Sequence, residues 1–336
     1  MKNIWKIILL TIGVGLILSI IGLATGGNRT LYWDRTGLHT TGSGISSVTE
    51  HNLGSISNIH IDAGFSDIEF VRSDSFGIEL FGDNMEWVWT LEGDTLTITH
   101  YQSTRFMILN IDFFSNQRNY AKIYLPENAK LDTVNLKTGS GNIEIGNFQV
   151  SNIEIENSFG NIDLENITSD NLKVSSNSGR FTGTNINTRI LNYNNSFGDG
   201  RFNSVHAQSL NAECNSGNIT FTNCKFGEAI VTNKFGDITA DNITSLRSSI
   251  RATSGTIRLN GDFVGETIVH TDFGDIRLTT EKERSEYSYE FSVRFGSIRI
   301  DNERQSNQTT IINTNASPNH IKLTSSSGDI RINFAD

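Results

Sequence analysis

The 336-residue sequence is nearly devoid of proline: Pro126 and Pro318 are the only two, so no proline-rich linker divides the chain. Cysteine is as scarce, with Cys214 and Cys224 alone, which excludes a disulfide framework and any Cys/His spacing for zinc. No metal or other cofactor is indicated. Positive charge is in deficit, 27 Lys and Arg against 37 Asp and Glu for a net charge of −10, which argues against a general nucleic-acid binder. Apolar spacings of three and four residues, the mark of amphipathic helices, are missing from the body of the chain. The hydrophobic fraction of 36% is modest, as expected where half of every strand faces water.

What the chain has instead is a short repeated phrase, TGSGNIEI, NSFGNIDL, NSGRFTG, NSFGDGRF, NSGNITF, NKFGDITA, TSGTIRL, DFGDIRL. Its glycines run from Gly141 through Gly160, Gly179, Gly198, Gly217, Gly236 and Gly255 to Gly274, each 19 residues after the last. The phrase returns at Gly296 and Gly328 after intervals of 22 and 32 residues. A strict period in this range predicts one structural rung per copy, stacked on its neighbours. Aligned on the glycine, apolar residues fall five before it (Leu136, Ile155, Val174), two after it (Ile143, Ile162, Phe181) and four after it (Ile145, Leu164), with polar residues between. Alternation of period two on both sides predicts two short strands per rung, with the glycine at the corner.

The residue before the glycine alternates without exception from Ser140 and Phe159 to Ser254 and Phe273. Stacked strands lie about 4.8 Å apart, so phenylalanine on every rung would crowd, and alternation lets each ring spread over a small neighbour. This favours register-locked parallel stacking, a single-stranded parallel β-helix with 19-residue rungs. A β-sandwich of hairpins is the competing architecture, since its turn signals would recur at similar spacing.

The first 27 residues differ in kind. Lys2 and Lys6 precede an apolar run from Ile7 to Ala24, long enough for a short transmembrane helix, so residues 4–24 are expected to hold the chain to a membrane with the N-terminus in the cytoplasm and the bulk outside. A cleaved signal peptide is the other reading, with Gly22 and Ala24 near the cleavage site. Residues 28–55 read as a juxtamembrane linker, where Tyr32 and Trp33 either anchor at the interface or pack on the first rung. Residues 56–130 read as irregular rungs or a cap over the solenoid's end, with a degenerate copy of the phrase around Gly64 and Ile68, and residues 131–336 as the regular solenoid.

The N-terminal span, LYWD, the GFSDIEF and DTLTI strands, KIYLPENAKLDTVNLKTGSGNIEI and the following rungs together resemble the LiaG-like bacterial putative-adhesin family, a domain of unknown function. The resemblance covers most of the chain from about Ile56. It implies a β-helix on the outer side of the membrane, an association with the cell-envelope stress response, and no catalytic residues to carry over.

Four sets of residues are candidates for chemistry. Cys214 and Cys224 fall at inward positions of one rung and either form a disulfide across the coil or pack as free thiols. Asp199, Asp237, Asp275 and Asp329 follow their glycines as in calcium-binding rolls, but Asn, Arg, Thr and Ser interrupt the column, which favours polar corner residues over metal ligands. Acidic residues on stacked rungs admit a glycan-acting enzyme, although no rung departs from the repeat to build a pocket and the seven histidines are scattered. Three residues past the glycine, Glu144 and Asp163 give way to Arg258, Arg277, Arg299 and Arg331, with Arg251 nearby; a basic stripe of this kind suits an anionic envelope polymer, unless neighbouring aspartates neutralise it. The expectation is a membrane-anchored, extracytoplasmic surface interaction module or adhesin, without enzyme activity. An accessory or sensor protein of the envelope stress response and an envelope-glycan enzyme are the alternatives.

Overall fold

Parallel stacking is what the pairings display: Ile143 lies beside Ile162, Ile162 beside Phe181 and Phe181 beside Gly200, each a full repeat further along. The structure is a computed structural model that describes residues 2–24, 30–34, 37–41, 45–83, 85–101, 106–110, 119–127, 129–305 and 309–335. Apart from one helix and a single 3-10 turn, its regular elements are strands. The fold is all-β and solenoid-like.

The corner glycines are dictated by the stacking itself. A Cβ on Gly179 would lie 2.0 Å from the carbonyl oxygen of Gly160, and Gly198 and Gly217 meet the preceding corner in the same way. With φ of 132° at Gly179 the backbone also sits where side chains are strained. Between corners the chain runs as one long strand, Ile143–Phe159 or Ile162–Ser178, where two short strands were expected. It bends six residues past the glycine, at Asn147, Asn166, Asn185, Ser204, Asn223 and Asn242, all in the left-handed region with φ from 53° to 64°. Asparagine tolerates that conformation better than most residues, and here its amides also chain together, Asn185 Nδ2 donating to Asn166 Oδ1 at 2.6 Å. The bend gives each rung a third side, and Phe148, Ile167, Ile186, Val205, Cys224 and Ile243 bury themselves from it.

Core volumes compensate between rungs. Gly183 and Gly200 occupy inward places, and the rings of Phe181 and Tyr193 take up the space they leave: a Cβ on Gly200 would fall 2.8 Å from the Tyr193 hydroxyl. Phe181, Tyr193 and Phe202 then pack with centroids 5.0 to 5.2 Å apart.

The far end departs from chain order. The first half of strand Ile257–Phe273 pairs with the next strand, Ile276–Glu283, but its second half pairs with Asn319–Ser327, and that strand pairs in turn with Tyr287–Phe295. The last rung is therefore inserted between the two before it, and the corner column reads Gly274, Gly328, Gly296. Short antiparallel strands, Thr310–Asn313 and Glu303–Arg304, cover the outermost edges. At the near end Ile68 pairs with Ile143, as the degenerate phrase suggested, but Ser66 rather than Gly64 stands at the corner. Antiparallel strands Ile45–Leu53 and Glu86–Glu92 close that end.

Residues Lys2–Ala24 form the helix. Among the described residues no helix is long and apolar enough to cross a membrane, so the expected transmembrane span is not supported at this level. The expectations for Tyr32 and Trp33 concern side chains outside the described residues.

Candidate functional site

The residue before each corner is half the time a phenylalanine, and every one of these faces solvent. Phe65, Phe159, Phe197, Phe235, Phe273 and Phe295 are 56% to 66% exposed. The alternation anticipated as a packing rule thus operates on the outside: the backbone turns at the glycine, and the side chain that strict alternation would send inward is thrown outward. Ser140 pairs with Phe159, Phe159 with Ser178, Ser178 with Phe197 and Phe197 with Ser216, and the pattern continues to Phe273. In sequence the alternation then fails, because Phe273 and Phe295 precede successive glycines. In space it holds, because the inserted last rung puts Ser327 between them. The result is one ridge of aromatic rings along the solenoid's edge, spaced about 9.6 Å apart, two strand separations. Burying a phenylalanine fully is worth about 1.5–3 kcal/mol, so six in a line left in water form a surface whose favourable state is contact.

Beside the ridge, the residue after the glycine builds a second column. Asn142 Oδ1 accepts the N–H of Asn161 at 3.0 Å, Asn161 Oδ1 that of Arg180 at 3.1 Å, and Asp237 Oδ1 that of Thr256 at 2.8 Å. Each Asx side chain thereby satisfies a corner N–H one rung away, which accounts for the aspartates without a metal. Among the described residues no group of His, Cys, Asp and Glu could hold a metal ion.

The second carboxylate oxygen of these aspartates meets the arginines. Arg258 lies 2.8 Å from Asp237 Oδ2, Arg277 3.0 Å from Asp275 Oδ2, and Arg331 3.7 Å from Asp329 Oδ2. Burial pushes the Asp237 carboxyl up, but Arg258 and the Thr256 N–H outweigh it and hold the group below its usual range. At Asp329 burial is likewise outweighed, there by the N–H and hydroxyl of Ser297, then by Arg331 and Arg299. Arg258, Arg277, Arg331 and Arg299 stand on consecutive rungs, again through insertion of the last rung, and Arg304 pairs beyond them. The opposite end of the same face carries Glu69, Glu144 and Asp163, around an open pocket of about 460 Å³. The face is polarised along its length.

Arg251 is not part of this stripe; it lies on the strand leading into the corner, 3.6 Å from Asp272. Cys214 and Cys224 are both free and buried. Their thiols donate to different carbonyls, Cys214 to Gly198 and Cys224 to Thr222 and Phe202, and burial pushes both up. At the near end Glu79 accepts hydrogen bonds of 2.6 Å from Tyr120 and Tyr124, which lower its carboxyl and raise both phenols to about 12. No signal in the sequence pointed to that trio, in which Glu79 stands more than 40 residues from both tyrosines.

A family model described as Toastrack DUF4097 matches residues 56–189 and 181–333. Among solved structures, a protein called a putative adhesin from Bacteroides fragilis is 16% identical, with 86% of this chain and 97% of that chain covered and a TM-score of 0.34. Another so called, from Parabacteroides merdae, is 13% identical, with 87% and 96% covered and a TM-score of 0.37. A protein called a putative lipid binding protein, from Parabacteroides distasonis, is 16% identical, with 87% and 97% covered and a TM-score of 0.38. No curated protein matches it.

Proposed function

The chain belongs to the Toastrack DUF4097 family, and from that premise we propose that it is a surface interaction module of the bacterial envelope, an adhesin that makes its contacts along the phenylalanine ridge. The observation that carries this is the ridge itself: six rings, each more than half exposed, held in one line by a period that the core does not require. Helix Lys2–Ala24 is the proposed membrane tether, with the β body outside; the exposed apolar side chains of Ile8, Leu10, Ile12 and Leu16 support that role. Cells displaying the full chain should adhere to one another or to a coated surface, and the Phe197→Ser/Phe235→Ser variant should abolish this at equal surface levels. Externally added protease should remove the β body from intact cells. Adhesion unaffected by the double variant removes the ridge from the function, and a body resistant on intact cells but cleaved after lysis removes the location.

A second reading is favoured by the arginines on consecutive rungs. An anionic polymer with regularly spaced phosphates would exchange the Asp237, Asp275 and Asp329 partners for bidentate contacts to its own oxygens. Retention of purified teichoic acid by the full chain, and its loss in Arg258→Gln/Arg277→Gln/Arg299→Gln, tests it; equal retention by both proteins ends it.

A further inference from the structure

We propose that the ridge recognises a second copy of this chain, the two solenoids lying antiparallel with five phenylalanines of each, Phe65 to Phe273, seated in the serine gaps of the other. The inference rests on the reading of the ridge as a contact surface and names its partner.

The ridge is complementary to itself. Rings recur about every 9.6 Å, with Ser140, Ser178, Ser216, Ser254 and Ser327 in the gaps. A ring entering a gap stands about 4.8 Å from the rings above and below, inside the 4.5–7 Å range that aromatic pairs prefer. Symmetry then selects the direction. A two-fold axis along the solenoid would set rings of the two copies at equal height, opposing phenylalanine to phenylalanine. A two-fold axis across it reverses one copy and permits the half-period offset that interdigitation needs.

One such register uses every gap. With Ser216 opposite the second copy's Phe197, Ser178 meets Phe235, Ser140 meets Phe273, Ser254 meets Phe159 and Ser327 meets Phe65. The same axis keeps the polarised faces on one side of the contact and reverses their ends, so Glu144 comes level with the second copy's Arg277, Asp163 with Arg258 and Glu69 with Arg331. Only Lys122, already held by Glu69 at 3.2 Å, comes level with an arginine, Arg299. These charges stand back from the ridge, so they steer and orient rather than form ion pairs. In area, the five seated rings per copy at about 120 Å² of exposed surface each amount to roughly 1,200 Å² in total, at the lower bound of the 1,200–2,000 Å² of stable specific interfaces. The arrangement sends the two N-terminal ends in opposite directions, which suits chains tethered to two facing surfaces.

The test is sedimentation of the full chain in detergent solution across a concentration series. The wild type is expected to dimerise below about 100 µM, and Ser216→Phe, which fills the central gap, to weaken association at least ~10-fold. Phe197→Ser should do the same. Combining Phe197→Ser with Ser216→Phe exchanges ring and gap in both copies and should restore the dimer in this register. Circular dichroism confirms that each variant is folded. A chain that stays monomeric, a dimer indifferent to Ser216→Phe, or a double variant no better than the singles overturns the proposal. Adhesion to a foreign surface by a chain that stays monomeric would leave the ridge as a contact site and remove self-pairing.

Discussion

Single side chains separate what folds this protein from what it presents. Phe202 is buried against Phe181 and Phe221, so Phe202→Ala is expected to cost about 3–5 kcal/mol, whereas Phe197→Ser on the ridge should change stability by no more than about 0.5 kcal/mol. Urea unfolding of the two variants checks the contrast, and a large cost at Phe197 would make the ridge part of the fold. Asp237 has two tasks that substitution can divide. Asp237→Asn keeps an acceptor for the Thr256 N–H and loses the charge opposite Arg258, while Asp237→Ala loses both and should cost about 1 kcal/mol more. Since the carboxyls of Asp237 and Asp329 are lowered in the folded state, the stability they contribute is complete above the unfolded value near 3.8 and is lost as pH falls through the folded values. Melting temperature should therefore drop more steeply below about pH 4 in the wild type than in Asp237→Asn/Asp329→Asn. Equal slopes would mean that other carboxylates set the acid limit.

At the scale of the rung, most of the architecture was legible in the glycine period, because a parallel stack repeats the same steric demand at the same place. The inward columns at Ile143 and Ile155 follow from alternation alone. The third side escaped notice because its signal is a conformation: the Asn column six past the glycine reads as polar filler until φ is known. The insertion of strand Asn319–Ser327 was not legible either, since intervals of 22 and 32 residues give the lengths of detours but not where the chain re-enters the stack. A trace remained in the Phe/Ser alternation, which breaks at Phe295 in sequence and is repaired only if Ser327 lies between. Insertion makes the end cooperative, because Tyr287–Phe295 reaches the solenoid through Asn319–Ser327. Removing residues 319–336 should bring hydrogen exchange in residues 287–300 to the rate of unstructured chain while Ile238–Ser254 stays protected. Continued protection of residues 287–300 would place that rung directly on Ile257–Phe273.

For the molecule as a whole, a core satisfied on three sides and edges closed by antiparallel strands leave, among the described residues, the corner ridge and the polarised face as two surfaces that run its length. The arginine column was visible in sequence but its order was not, and the ridge was visible as a pattern whose direction was misjudged, since alternation does not say which way a residue points at a corner. Hydroxyl-radical footprinting of the full chain, read residue by residue by mass spectrometry, tests the central claim most directly. At low concentration Phe65, Phe159, Phe197, Phe235, Phe273 and Phe295 should oxidise together while Phe181, Phe202 and Phe291 stay intact, and at high concentration the first five should become protected as a set while Phe295, which has no gap opposite it, stays reactive. Ridge phenylalanines that resist oxidation in dilute solution, or five seated rings that become protected independently of one another, would contradict it.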